Sequence, residues 1–417
     1  MLGKLAAITF LTVLVILCGC GKQVQENGNE PAAAGKEEGA ESKVEVPGKY
    51  RDIYQELEGK LEELDACISD HWDGEPHGTT FSVELLTANS NRGEALLCED
   101  TFQAIRRTLD SLESLGVKGI TLGINYPILN PDFPRSQEYL DFYKRVAGEI
   151  KGRRLALIIE TTTTFRNPTF SSLGVNYSGL TLDRYMREKR AMAETVLREL
   201  KPDYLTVENE PATQRANTGL DFSVQNQTDI VSFILSGLDR SGVKIGAGAG
   251  TWEDLAYFES LARNTSLDYL DMHIYPIQGD FVVDKTVRIS DIARSSGKGL
   301  SVGEAWLYKL AETELSVDIA SAAGIFARDA YSFWIPLDGA FLEVMVKLSH
   351  YLDLEFASPF WMQYLYAYVG YDSSTAGLGY RETQGLVNQE AARNINSGTL
   401  SPTGETYREL ITGGSSP

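Results

Sequence analysis

Cysteine and histidine are the scarcest chemically active residues in this 417-residue chain, with four of each. No Cys-x-x-Cys pair, no His-Glu-x-x-His and no EF-hand spacing occurs, so no dedicated metal site is expected, and no cofactor either. Positive charge is also short. With 38 lysines and arginines against 58 aspartates and glutamates, the formal net charge is -20. A polyanion would be repelled over most of such a surface, and no nucleic-acid partner is expected. After Tyr50 there is no low-complexity stretch long enough to separate domains, and no repeat of solenoid length. Gly246-Ala-Gly-Ala-Gly-Thr251 has the spacing G-x-G-x-G rather than the G-x-G-x-x-G of a dinucleotide loop. It marks a place where the backbone must approach a neighbour closely or pack tightly.

Core-forming material is plentiful: 43% of residues are hydrophobic and 23% charged, a balance that folds. At the N-terminus Lys4 precedes an uncharged apolar run from Leu5 to Leu17, too short for a comfortable membrane span. The following Leu17-Cys18-Gly19-Cys20 resembles a bacterial lipoprotein processing box. That resemblance implies a signal peptide over residues 1–19, removal of Cys18 with it, and lipidation of Cys20. It also implies an extracytoplasmic protein held to a membrane through lipid alone. Residues 20–48, rich in Gly, Ala, Glu, Gln, Asn and Lys, are expected to form a disordered tether. In that compartment the remaining Cys67 and Cys98 are either a disulfide or two buried thiols.

From residue 49 to 417 short apolar, β-branched runs alternate with stretches of helical period. Eight runs begin at Thr80, Val117, Arg154, Tyr204, Val243, Tyr269, Gly299 and Pro359. Between them lie amphipathic stretches such as Glu99 to Leu115, Gln137 to Ile150, Leu182 to Leu200 and Thr228 to Leu238. A helix over Tyr50 to His71 would precede the repeat, and Pro402 to Leu410 would supply its last helical turns. Eight such units favour a single closed (β/α)8 TIM barrel, an α/β fold, over an open doubly wound sheet.

Strand ends converge on one mouth of such a barrel. The fourth run ends in Asn209-Glu210-Pro211, the sixth in His273-Ile274-Tyr275 and the seventh in Glu304-Ala305-Trp306. This order resembles the clan A glycoside hydrolases, (β/α)8 enzymes that include cellulases, mannanases and endo-galactanases. The resemblance implies that Glu210 is the acid/base and Glu304 the nucleophile of a retaining hydrolase of β-linked glycans. It further implies that Asn209 bonds the sugar 2-hydroxyl, that Tyr275 orients Glu304 and that Trp361 stacks on the sugar. His273 and Tyr275 alternate onto one strand face and can both reach the mouth. Trp252, Trp306 and Tyr126 could extend the aromatic platform. Glu84, Glu160 and Glu208 are expected to hold hydrogen-bond networks beneath the sugar.

The chain departs from the family pattern at the second strand, which ends Gly123-Ile-Asn125-Tyr126 without the arginine that often braces the nucleophile. Arg92, in the loop after the first strand, is the only substitute offered. A monomer acting on an oligo- or polysaccharide is the reading these features favour. A non-catalytic carbohydrate- or solute-binding lipoprotein on the same barrel is the alternative, although it would not require two opposed acids.

Overall fold

The computed structural model describes residues 45–278, 282–315 and 322–413. The expected signal peptide, Cys20 and almost all of the tether lie outside these residues. Eight strands form one sheet: β1 (Thr80–Phe81), β2 (Gly119–Gly123), β3 (Ala156–Glu160), β4 (Tyr204–Thr206), β5 (Lys244–Gly250), β6 (Tyr269–Ile274), β7 (Gly299–Ala305) and β8 (Phe356–Pro359). The order is β1-β8-β7-β6-β5-β4-β3-β2, and every pairing is parallel. Thr121 N donates to Val83 O at 3.0 Å and Leu85 N to Thr121 O at 2.9 Å, closing β1 onto β2. The α/β barrel anticipated from the eight-fold alternation is therefore the fold.

The helices are α1 (Arg51–His71), α2 (Glu99–Leu115), α3 (Ser136–Gly152), α4 (Leu182–Thr195), α5 (Pro211–Thr218), α6 (Val224–Leu235), α7 (Leu255–Asn264), α8 (Val283–Ser295), α9 (Ala323–Arg328), α10 (Ile335–Leu352), α11 (Tyr380–Ser397) and α12 (Pro402–Thr412). Their sequences carry the reasons for their ends. In α2, Phe102, Ile105, Leu109, Leu112 and Leu115 recur at three and four residues and are buried, while Gly116 takes the left-handed φ of 104° that stops the helix. The stretch expected as one helix over Leu182 to Leu200 is α-helical to Thr195 and then widens to a π turn over Val196–Leu200. Lys347 of α10 bonds Asp65 of α1 at 2.7 Å, fastening the leading helix to the barrel's outer ring.

The last strand differs from the sequence expectation. The strand is Phe356–Pro359, and the apolar run after it folds into a 3-10 turn over Met362–Leu365. All four of those turn residues are buried, so their hydrophobicity reflects packing of the turn rather than sheet membership. No disulfide joins Cys67 and Cys98, which are half-buried thiols. No helix among the described residues is long and apolar enough to cross a membrane.

The barrel interior is filled in layers. Tyr204, Tyr269 and Phe356 meet edge to face, with ring centroids 5.0 to 5.8 Å apart, and plug the N-terminal pole. These rings form the barrel floor beneath the polar groups described next.

Candidate active site

Strand β6 sends every second side chain inward: Tyr269 in the floor, then Asp271, then His273, then Tyr275 beyond the strand's end. Its neighbour β5 answers with glycine at each level, Gly246 opposite Tyr269, Gly248 opposite Asp271 and Gly250 opposite His273. A Cβ on Gly246 would overlap the Tyr269 ring, one on Gly248 the Asp271 carbonyl, and one on Gly250 the Trp252 ring. The glycine-rich run is thus a packing device that admits the large β6 side chains.

Glu210 and Glu304 reach the mouth by different routes. Chain regularity is lost after β4, and Glu210 sits in left-handed geometry (φ 48°, ψ 67°) as the residue preceding α5. For a residue with a Cβ this is strained by about 1–2 kcal/mol. Asn209, fully buried, pins the turn: its Oδ1 accepts from Glu210 N at 2.8 Å and its Nδ2 donates to Asp271 Oδ2 at 2.8 Å. Glu304 is aimed by an irregularity in β7, whose register against both β6 and β8 shifts around Gly303. A side chain on Gly303 would overlap Glu160 Oε1 and Asp271 Oδ2, so glycine lets two acids lie directly beneath the residue before Glu304.

His273 lies at the centre. Its Nδ1 is 2.8 Å from Glu210 Oε1 and 3.6 Å from Glu304 Oε2, and its Nε2 is 3.1 Å from Glu160 Oε2 and 3.7 Å from Asp271 Oδ2. Tyr275 donates its hydroxyl to Glu304 Oε2. Side-chain exposure is 12% for Glu210 and 18% for Glu304, against 3% or less for Glu160, Asp271 and His273. Only the first two acids can meet a ligand. Ligand-type atoms of Glu210, His273 and Glu304 lie within 4.8 Å of one another, and so do those of Glu160, Asp271 and His273. In each triad the imidazole is hydrogen-bonded to one acid, Glu210 through Nδ1 and Glu160 through Nε2, with Glu304 and Asp271 farther off at 3.6 and 3.7 Å.

Electrostatics follow from this crowding. Burial opposes protonation of His273, but the charges of Glu304 and Glu160 and the bonds to Glu160 and Glu210 prevail and hold its pKa well above the ordinary value. Burial pushes the Glu304 carboxyl far up; the His273 imidazolium pulls against this, and the Glu160, Glu210 and Glu84 charges add to it. Glu84 is pushed up to about 8, by burial first and by Glu160 second, despite accepting bonds from Asn89 and the Gly123 amide.

The Glu84 shift has a stability consequence. The folded protein keeps this proton to about pH 8 while the unfolded chain releases it near the ordinary glutamate value. The folded state therefore binds more protons in that window, and stability falls as pH rises through it, by on the order of 4 kcal/mol. Glu84→Gln should raise Tm by roughly 3–5 °C at about pH 8 and hardly at all near pH 4.5. Equal melting differences at the two pH values in a thermal scan would contradict this.

The other expected site residues divide. Trp361 lies just past β8, half-buried, with its ring 4.9 Å from Phe360 and 6.1 Å from Phe326. Trp252 is half-buried beside Tyr275, ring centroids 6.0 Å apart. Trp306, by contrast, is wholly buried and stacked on Tyr364 at 5.6 Å. Tyr126 is buried between Tyr177 and Tyr185 and donates its hydroxyl to Glu188. Neither ring presents a free face to a sugar. Arg92 forms no ion pair with any carboxylate of the described residues, and its Nε is buried without a partner, so it is no brace for Glu304.

Glu208 also differs from expectation. Instead of joining the network of Glu84 and Glu160 it turns to α4, taking a bond from Tyr185 at 2.6 Å and pairing with buried Lys189 at 3.1 Å. Alternation fails there because residues 207–210 are not regular strand. Sequence reasoning missed Asp271, whose position two residues before His273 was the available signal. It also missed the aromatic wall of Tyr308, Phe326, Phe170 and Tyr380, with neighbouring centroids 5.1 to 6.2 Å apart. These four come from separate loops and helix ends and carry no common motif.

The chain is a parallel eight-stranded (β/α)8 barrel with acids beyond its fourth strand and on its seventh. Among solved structures, the chain is similar to GH5_18 from Bifidobacterium longum subsp. longum, with a TM-score of 0.50 and 14% identity over 80% of this chain and 79% of that one. It is equally similar to a variant of that protein in complex with Manb1-4GlcNAc, at 0.50 and 13% identity over 80% and 78%. At these identities the likeness is one of fold. No protein-family model matches the sequence, and no curated protein does.

Proposed function

We propose that the protein is a retaining glycoside hydrolase acting on β-linked glycans. One observation carries this reading: Glu210 and Glu304, the two acids of this cluster that reach solvent among the described residues, place carboxyl oxygens within 4.8 Å of each other. Retention calls for carboxyl groups ~5–5.5 Å apart, whereas inversion leaves ~6.5–9.5 Å for a water.

Chemistry follows from the charges. Burial raises the Glu304 carboxyl, and the Glu210 charge beside it adds to this. Tyr275 donates to Glu304, and His273 Nδ1 lies 2.8 Å from Glu210 and 3.6 Å from Glu304. The retaining reading assigns the acid/base role to Glu210 and the nucleophile role to Glu304. Glu304 then attacks the anomeric carbon as Glu210 protonates the leaving oxygen, and the same Glu210, now a base, activates the water that releases the sugar. Trp252, packed beside Tyr275, and Trp361, packed on Phe360 just past β8, are the rings this reading assigns to the C–H side of a pyranose.

A screen of β-linked polysaccharides and aryl β-glycosides with the barrel domain tests the reading; absence of any reducing-sugar release across the panel would overturn it. The lipoprotein motif supports a second part of the proposal, attachment to a bacterial membrane through Cys20. A Cys20→Ser variant should move from the membrane fraction to the soluble one, and retention in the membrane fraction would contradict it.

A further inference from the structure

Under the two active-site acids lie three more carboxyls, Glu84, Glu160 and Asp271, all buried. No lysine or arginine of the described residues pairs with any of the five. His273 is the one base they share. The titratable groups that face it are Glu84 beyond β1, Glu160 at the end of β3, Glu210 beyond β4, Asp271 and Tyr275 on its own strand, and Glu304 on β7. Strand β5 contributes only glycine and alanine at that level, and β8 has no titratable side chain.

Glu160 is the odd member. Its Oε2 has a single hydrogen-bond partner, His273 Nε2, and its Oε1 has none, although the side chain is 3% exposed. A buried acid kept only for the fold would have its oxygens satisfied, because an unpaired one costs about 1–3 kcal/mol. This acid spends its burial on one nitrogen.

Resting on the glycosidase reading, we propose that Glu160 is a positioning residue: it fixes a proton on His273 Nε2, so that His273 stays an imidazolium whose Nδ1–H serves both active-site acids in turn. Negative charge moves during the reaction. In the resting enzyme it resides on Glu304, 3.6 Å from Nδ1. When Glu304 becomes a glycosyl ester and the Glu210 proton leaves with the departing oxygen, it resides on Glu210, 2.8 Å from Nδ1. A fixed cation between the two positions stabilises both states without moving, and only while Nε2 keeps its proton.

Histidine-selective ¹⁵N spectra across a pH series decide this, with the His273 signal assigned by its loss in His273→Asn. In the parent protein both ring nitrogens should remain protonated through about pH 8. In Glu160→Gln the midpoint should fall by about one unit or more, the alkaline limb of kcat/KM should move down with it, and kcat should drop about 10–100-fold with KM nearly unchanged. A neutral His273 at pH 7 in the parent protein overturns the proposal, and so does a Glu160→Gln variant with unaltered titration and pH profile. Once the signal is assigned, the parent spectra do not depend on Glu160→Gln folding. They also stand apart from the enzymatic reading, which fails separately if the parent cleaves no β-linked glycan.

Discussion

Replacing Glu304 with alanine is expected to lower kcat on a β-glycoside by about 10⁴–10⁶ while the protein keeps its fold. The size of the loss reflects what Glu304 does alone: it supplies the electron pair that forms the bond to the anomeric carbon, and among the described residues of this cluster only Glu210 also reaches solvent. Glu160 and Asp271 lie within reach of His273 but are sealed beneath it at 3% exposure or less, and cannot take over. Removing the carboxylate leaves space for a small anion at the mouth. Azide should therefore restore part of the turnover and yield a glycosyl azide of inverted configuration. A Glu304→Ala variant hydrolysing within about tenfold of the parent, measured by initial rates on the same substrate, contradicts the assignment.

Glu210→Ala should cost about 10²–10⁴ in kcat on substrates whose leaving group needs a proton. With a dinitrophenyl leaving group the first step needs no acid, so glycosylation should run at close to the parent rate. Release of the intermediate still needs a base and should remain slow, giving a burst of dinitrophenolate followed by a low steady rate. A uniform loss across leaving groups, without a burst, would place the acid elsewhere. The strained left-handed turn at Glu210 bears on this result. Substitution there changes the side chain and leaves the backbone held by the Asn209 bond to the Glu210 amide and by Pro211, so folding should be little affected.

Much of this arrangement was legible in the sequence because its elements obey local rules. The helix over Glu99 to Leu115 begins and ends where its apolar period and the following glycine require. The β6 alternation placed His273 and Tyr275 on one face, where the structure has them. Local rules failed where long-range packing decides the outcome. The apolar run after Pro359 became a buried turn, since neighbouring helices cover it. Glu208 was diverted by Lys189, a partner contributed by a helix before it in the chain. Trp306 and Tyr126 were drawn into the core by rings from other segments. The hydrogen-bonded role of Glu160 depends on Gly303, more than a hundred residues away, lacking a side chain.

The opposition of two acids across one glycosidic bond is tested most directly by trapping the intermediate. A 2-deoxy-2-fluoro β-glycoside with an activated leaving group slows release of the sugar from the nucleophile, and the intact mass should rise by one fluoroglycosyl unit, mapping to the peptide that carries Glu304. Labelling of a different residue, or turnover that releases the inverted anomer with no labelled protein, would contradict the account.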